Sequence, residues 1–160
     1  MESISKRAVI IVYSYHHMNT EKVAHSIAAV LGAEVKQPQD IRPEEVGEYA
    51  LVGFGAGIDS GKHYKPVLEL AGSLPDVSEQ KAFIFSTAGI SNKKKMDSDH
   101  KALREILLSK GYNIIDEFAC KGYNTNSVLK YIGGMNKGRP NAEDLRNAED
   151  FARELRSALG

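Results

Sequence analysis

Runs of consecutive apolar residues alternate along this chain with segments in which apolar residues recur every three or four positions. The first run covers residues 8–13 (AVIIVY), a pattern typical of a strand with both faces buried. It is followed by the apolar face of a predicted helix, made of Val23, Ala24, Ile27, Ala28 and Leu31. Asn19 or Thr20 is expected to cap this helix, and Gly32 to end it in a left-handed conformation.

The same alternation continues to the end of the chain. Further strands are predicted at residues 33–36, 49–55, 81–86 and 112–120. Further helices are predicted as a short turn at residues 43–46, a helix opened by Pro66, a helix with Leu103, Ile106 and Leu107 on its apolar face, and a last helix with Leu145, Ala148, Ala152, Leu155 and Leu159. Strictly alternating elements imply an α/β fold, a doubly wound five-stranded parallel sheet with helices on both faces, formed by one domain over residues 1–160.

The segments that follow the strands are the candidates for a ligand site, because open parallel sheets bind ligands outside the carboxyl ends of their strands. These segments begin at Ser14, Ala56, Thr87 and Gly122. The first of them, residues 14–20 (SYHHMNT), places a hydroxyl, an amide and two histidines before a helix N-terminus, where unbonded N–H groups and the helix dipole favour an anion. It predicts either a phosphate site or an ordinary capped helix with solvated histidines.

Composition narrows the classes of function. Lys and Arg together number 21, as do Asp and Glu, so no overall positive field attracts nucleic acid or an anionic membrane. The single cysteine, Cys120, excludes an internal disulfide and a zinc site built from several thiols, and it is expected to be buried. Without a signal peptide or an apolar run of membrane-spanning length, the expected location is the cytoplasm.

Four segments of the chain resemble the flavodoxin family. IIVYSYHHMNTEKVA resembles the first strand and phosphate loop, whose pattern Ser/Thr-x-Thr-Gly-Asn-Thr is matched at Asn19 and Thr20 and departs at Tyr15, His17 and Met18. LVGFGAGIDSGKHYKPVLEL and FIFSTAG resemble the third and fourth strands with their flavin-contacting loops, and the tail from residue 118 to residue 152 is similar to short flavodoxin-domain proteins. The resemblance spans residues 9–159 and implies the flavodoxin-like strand order 2-1-3-4-5.

The resemblance also implies bound flavin mononucleotide (FMN), with no metal site and no catalytic side chain. Its phosphate is expected at Ser14, Tyr15, His16, His17, Met18, Asn19 and Thr20. Its ring is expected against Gly57, Ile58, Asp59, Ser60, Gly61, Tyr64, Thr87, Ala88, Gly89 and Tyr123. The family's backbone flip on flavin reduction is expected near Gly57-Ile58 or Ser60-Gly61. Because the chain has no Trp, aromatic stacking is expected from Tyr64 and Tyr123, or from His63 in place of Tyr64.

The leading functional hypothesis is an FMN electron carrier that serves redox partner proteins as a monomer or weak dimer. The first alternative is an FMN-dependent NAD(P)H or quinone reductase, with residues 122–141 forming part of a substrate pocket, although the chain lacks a G-x-G-x-x-G fingerprint. The second is a flavin-free scaffold, since Met18 departs from the phosphate pattern. A phospho-acceptor receiver domain is rejected, because Ser14-Tyr15 and Gly53-Phe54-Gly55 stand where acidic residues are needed.

Two further sets of residues are interpreted as surface. His25 and His100, on predicted helices, are expected to be exposed. Lys93, Lys94 and Lys95 are expected to be a solvated charge run, with a docking patch for an acidic partner or a charge near the flavin as the alternative.

Overall fold

A computed structural model describes residues 6–14, 18–89, 92–122 and 138–159. Its strands are β1 (Lys6–Tyr13), β2 (Glu34–Lys36), β3 (Tyr49–Asp59), β4 (Lys62–His63), β5 (Gln80–Ala88) and β6 (Tyr112–Lys121). Its helices are α1 (Asn19–Leu31), α2 (Pro43–Val46), α3 (Lys65–Ser73), α4 (Lys93–Ser109) and α5 (Ala142–Ala158), and a 3₁₀ turn covers Pro38–Asp40.

The sheet has the predicted topology. Its parallel strands lie in the order β2-β1-β3-β5-β6, which confirms the order 2-1-3-4-5 for the five main strands. The two-residue strand β4 was not predicted and pairs antiparallel with β3. β3 and β5 also run beyond their predicted ends, and Gly57 pairs with Thr87 between them. Ala56 and Thr87 therefore belong to strands, where the sequence predicted the starts of loops.

The helices pack in two layers, one on each face of the sheet, because successive strand residues point to opposite faces. Ile10 and Leu51 belong to the core between the sheet, α1 and α5. Val9 and Val52 belong to the core that includes α3 and α4. The five apolar residues predicted for α1 are all buried, and Gly32 ends that helix at φ 65° as predicted.

Two glycines of β3 make room for aromatic rings of β5. A Cβ added to Gly53 would lie 2.3 Å from Phe83 Cζ, and one added to Gly55 would lie 2.2 Å from Phe85 Cζ. The two rings stack on each other with centroids 5.9 Å apart. Both separations are far below van der Waals contact, so these positions admit only glycine while the rings keep their places.

Among the described residues, no helix is both long enough and apolar enough to cross a membrane.

Candidate functional site

The strand ends at which the four predicted segments begin lie side by side at the carboxyl edge of the sheet. The strand register pairs Tyr13 with Ala56, and β5 with β6 through Ala88 and Lys121. Past the end of β6, the N–H of Gly122 donates to the carbonyl of Ala88 over 3.0 Å. The end of β1, the extended end of β3, the end of β5 and the exit from β6 therefore share one edge.

Helix α1 begins at this edge. Its N-cap residue is Met18, at φ 53° and ψ 29°, and the Met18 side chain makes no capping hydrogen bond. The prediction that Asn19 or Thr20 caps the helix is wrong, because these residues are the first two of the helix itself. Glycine occupies this position in the flavodoxin pattern. The left-handed backbone at Met18 explains that glycine, because glycine adopts positive φ values without the strain that a side chain causes. The Met18 side chain accepts no hydrogen bond from the N–H groups of the first turn. It therefore does not compete with an anion for these donors.

Thr20 and Thr87 connect α1 to β5. Their Oγ1 atoms are 2.8 Å apart, and both residues are buried. Thr87 faces α1 because it alternates along the strand with Ser86, which faces α4. Two hydroxyls that share one hydrogen bond use one of their two protons, so the second proton remains available for a ligand oxygen.

Asn19 brings α1 against the exit of β6. It is buried, and a Cβ added to Gly122 would lie only 2.7 Å from Asn19 Nδ2. The close approach of the amide to the backbone thus favours glycine at position 122. Asn19, Thr20, Thr87 and Gly122, all from predicted segments, meet at one corner of the sheet.

The segment predicted as a flavin loop is a β-hairpin formed by the end of β3 and β4. Ile58 pairs with His63, and Asp59 pairs with Lys62. The two turn residues between them, Ser60 and Gly61, have φ values of 53° and 78°. Two positive φ values in a two-residue turn are typical of type I′, whose twist matches that of the strands. All of residues 59–62 are exposed, so the hairpin tip faces solvent.

Tyr64 lies at the base of this hairpin. Its N–H donates to the carbonyl of Gly57 over 3.1 Å, and a Cβ added to Gly57 would lie 2.7 Å from Tyr64 Cε2. The Tyr64 ring also meets Tyr13 edge-on, with centroids 5.9 Å apart. Close approach of the Tyr64 ring therefore accounts for glycine at position 57.

A buried polar network lies beneath the hairpin and was not predicted. His100, interpreted from the sequence as a surface residue, is fully buried. Its Nε2 lies 2.7 Å from Ser86 Oγ, and its Nδ1 lies 2.8 Å from Glu117 Oε1. Arg104 donates through Nε and Nη2 to the two oxygens of Glu117, each over 2.7 Å. Side chains of β5, α4 and β6 are thereby connected.

His63 joins this network from the hairpin. It is buried, its Nε2 lies 2.9 Å from the carbonyl oxygen of Phe85, and its ring centroid is 4.9 Å from that of His100. A ring buried in this way is not a stacking residue, so the suggestion that His63 replaces Tyr64 against a flavin is wrong.

Burial and neighbouring charges set the protonation of these groups. Burial, followed by the adjacent His100 ring, lowers the pKa of His63 to about 3. Burial favours the protonated form of Glu117, but hydrogen bonds from His100 and Arg104 outweigh it and lower the pKa of Glu117 to about 2. At neutral pH the network therefore contains a neutral His63 and an ionised Glu117.

The sequence also led to predictions for the lysine run, for Cys120 and for further candidates in the loops. Lys93 and Lys94 are exposed in the first turn of α4, whereas Lys95 Nζ lies 2.6 Å from an oxygen of the buried Asp99. Cys120 is buried as predicted, and burial raises the pKa of its thiol to about 12. The candidates Tyr15, His16, His17 and Tyr123 lie outside the described residues.

Solved structures share this fold at low sequence identity. A flavodoxin from the domain Archaea superposes with a TM-score of 0.70 at 16% identity, covering 95% of this chain and 98% of its own. Oxidised flavodoxin 2 from Bacillus cereus superposes with a TM-score of 0.72 at 14% identity, covering 95% of this chain and 99% of its own.

Sequence comparison adds the family. An uncharacterized protein of Methanocaldococcus jannaschii is 43% identical over 149 residues, which are 93% of this chain and 97% of that protein. The profile of the flavodoxin domain matches residues 10–154. The matched residues include both the start of α1 and the hairpin that ends β3. The chain therefore belongs to the flavodoxin-domain family.

Proposed function

We propose that this chain is a single-domain cytoplasmic carrier that binds one FMN at the carboxyl edge of its sheet and passes electrons between partner proteins. The observation that carries the proposal is the convergence, at that edge, of the α1 N-terminus with the Thr20–Thr87 pair and the β3–β4 hairpin. Family membership supports the choice of flavin as the ligand.

The residues at this edge fit the two chemically different ends of FMN. The dianionic phosphate suits the first turn of α1, where Asn19 and Thr20 add polar side chains to the backbone N–H groups. His16 or His17 is proposed to assist them. The ring suits the opposite side of the site, between residues 57–61 with Tyr64 and residues 87–89, and Tyr123 is proposed as a second stacking aromatic.

Bound FMN supplies the electron-transfer chemistry, and the chain supplies binding and orientation. Glycine at positions 57 and 122 permits close backbone and side-chain packing at the edge. The Thr20–Thr87 hydrogen bond fixes the distance between the phosphate side and the ring side. The exposed tip at residues 59–62 leaves one side of the site open to a docking partner.

The proposal is tested by comparing FMN with riboflavin, which lacks the phosphate. Titration of the apoprotein with FMN at micromolar levels is expected to quench flavin fluorescence and shift the visible bands. Thr20→Ala is expected to weaken FMN about 10- to 100-fold while changing riboflavin binding less, because one charge-assisted hydrogen bond contributes roughly 1.5–3 kcal/mol.

Thr87→Val is the matched control for this test. It breaks the same hydroxyl pair from the β5 side and leaves the Thr20 hydroxyl in place. It is expected to weaken FMN and riboflavin by similar factors. Equal weakening of both ligands by Thr20→Ala would reduce Thr20 to a packing residue, and an unresponsive wild-type protein would refute flavin binding.

A second test separates a carrier from a reductase. We expect the FMN-loaded protein to react slowly with NADPH or NADH alone, and rapidly once a flavoprotein reductase is added. Stopped-flow absorbance measures both reactions. Flavin bleaching by NADPH alone at about 1–10³ per second would establish the reductase instead.

A further inference from the structure

His63 is the buried residue of an otherwise exposed hairpin strand. Residues 59–62 are exposed, whereas His63 is 1% exposed. It pairs directly with Ile58, which follows Gly57 in the segment proposed to contact the flavin ring. A change in the position of the His63 ring would therefore also move its ladder partner Ile58 and the backbone at positions 57–59.

The His63 ring has one defined tautomer in this setting. Its Nε2 faces the Phe85 carbonyl at 2.9 Å, and a carbonyl oxygen only accepts hydrogen bonds, so Nε2 carries the proton. Its Nδ1 is then an acceptor that is buried and has no hydrogen-bond partner among the described residues. Since a buried acceptor without a donor is unfavourable, an apolar ring would suit the core better. The contribution peculiar to histidine here is the Nε2–H bond to β5.

The surface on which His63 rests is itself immobilised. Both ring nitrogens of His100 are hydrogen-bonded, one to Ser86 and one to Glu117. Both oxygens of Glu117 are in turn bonded to Arg104. The hairpin thus rests against a ring whose orientation is determined by three other elements of the fold: β5, β6 and α4.

We infer that His63 is a positioning residue that anchors the β3–β4 hairpin to β5 and so sets where the backbone at positions 57–61 meets the flavin ring. This inference rests on the proposed FMN site for its second half. Its first half, the anchoring of the hairpin, concerns the chain alone and is measurable without flavin.

The first experiment measures hydrogen exchange in the apoprotein for two variants. His63→Phe keeps a planar ring against His100 but has no donor for the Phe85 carbonyl, whereas His63→Gln places an amide N–H near the position of Nε2. His63→Phe is expected to speed exchange of the Tyr64 amide, which bonds to the Gly57 carbonyl, about tenfold, and to leave the amide of Val52 in central β3 within about twofold of wild type. His63→Gln is expected to restore slow exchange at Tyr64.

The matched control is His25→Phe, the same substitution at an exposed histidine of α1. It is expected to leave exchange at both amides unchanged. A purely structural role for His63 would accelerate Val52 along with Tyr64, and that pattern would overturn the inference. So would unchanged exchange at Tyr64 in His63→Phe, or equal acceleration in the Phe and Gln variants.

The second experiment measures flavin binding by the same variants. His63→Phe is expected to weaken FMN and riboflavin by the same factor, about tenfold, because the hairpin contacts the ring and not the phosphate. This equal loss differs from the phosphate-selective loss expected for Thr20→Ala. Unchanged flavin affinity in His63→Phe would overturn the positioning role. Absence of flavin binding by the wild-type protein would instead refute the proposed function, and the exchange measurement would still decide the anchoring.

Discussion

The neutral, buried ring of His63 predicts an unusual dependence of stability on pH. In the unfolded chain this histidine has the ordinary pKa of 6.5, whereas in the folded protein burial and the His100 ring lower the pKa to about 3. Between these values the unfolded chain binds a proton that the folded protein does not bind. The free energy of unfolding is therefore expected to fall as the pH drops below 6.5.

The size of the effect follows from the two pKa values. One pH unit of uncompensated proton uptake corresponds to about 1.4 kcal/mol, so acidification from pH 7.5 to pH 5.0 lowers the stability by about 2 kcal/mol through His63 alone. The lowered pKa of Glu117 acts in the same direction, but only between its ordinary value of 4.5 and about 2. The interval above pH 5 thus separates the contribution of His63 from that of Glu117.

Urea denaturation of the apoprotein at pH 7.5 and pH 5.0 measures this term. His63→Gln cannot titrate and is expected to lose about 2 kcal/mol less than wild type over this interval. The groups packed around His63, which are His100, Glu117 and Arg104, are present in both proteins, so the part of their contribution that does not depend on His63 is subtracted. His25→Gln, at an exposed site, is expected to behave like wild type. Parallel losses in wild type and His63→Gln would show that the buried ring is not held neutral.

Two further predictions concern glycine and left-handed backbone. Gly55→Ala places a methyl group against the Phe85 ring and is expected to lower the free energy of unfolding by about 1–3 kcal/mol or more. Gly72→Ala, in α3 with open space around it, is expected to raise the free energy of unfolding by roughly 0.5–1 kcal/mol. Urea denaturation of both variants tests the opposite signs. Met18→Gly is expected to exceed Met18→Val in stability by about 1–2 kcal/mol, since Met18 has φ 53° and a β-branched residue tolerates that region least; equal thermal midpoints would contradict the left-handed start of α1.

The alternation of strands and helices was predictable because its physical cause is local in the sequence, whereas the strand order followed from the resemblance to flavodoxins. Residues 8–13 form an unbroken apolar run, and the apolar residues of α1 recur every three or four positions. The carboxyl end of β3 was not predictable in this way. Residues 56–59 (AGID) do not continue the apolar run, and pairing with β4 and β5 extends the strand.

The candidate site was predictable in its location and less so in its contacts. Asn19 and Thr20 are typical capping residues, yet Thr20 bonds to Thr87, 67 positions away, and Met18 occupies the cap. The sequence did contain an indication that His100 is buried, because His100, Leu103 and Leu107 are spaced so as to lie on one helix face. Its polar type suggested exposure, and its partners on β5 and β6 are distant in the sequence.

The pairing of glycines in β3 with phenylalanines in β5 has a consequence for how this core varies among related proteins. The rings of Phe83 and Phe85 fill the volume that side chains at positions 53 and 55 would otherwise occupy. Because packed interiors tolerate exchanges that conserve total volume better than single enlargements, a larger residue at position 55 calls for a smaller one at position 85. We therefore expect positions 55 and 85 to change together among related proteins, with the total side-chain volume kept constant.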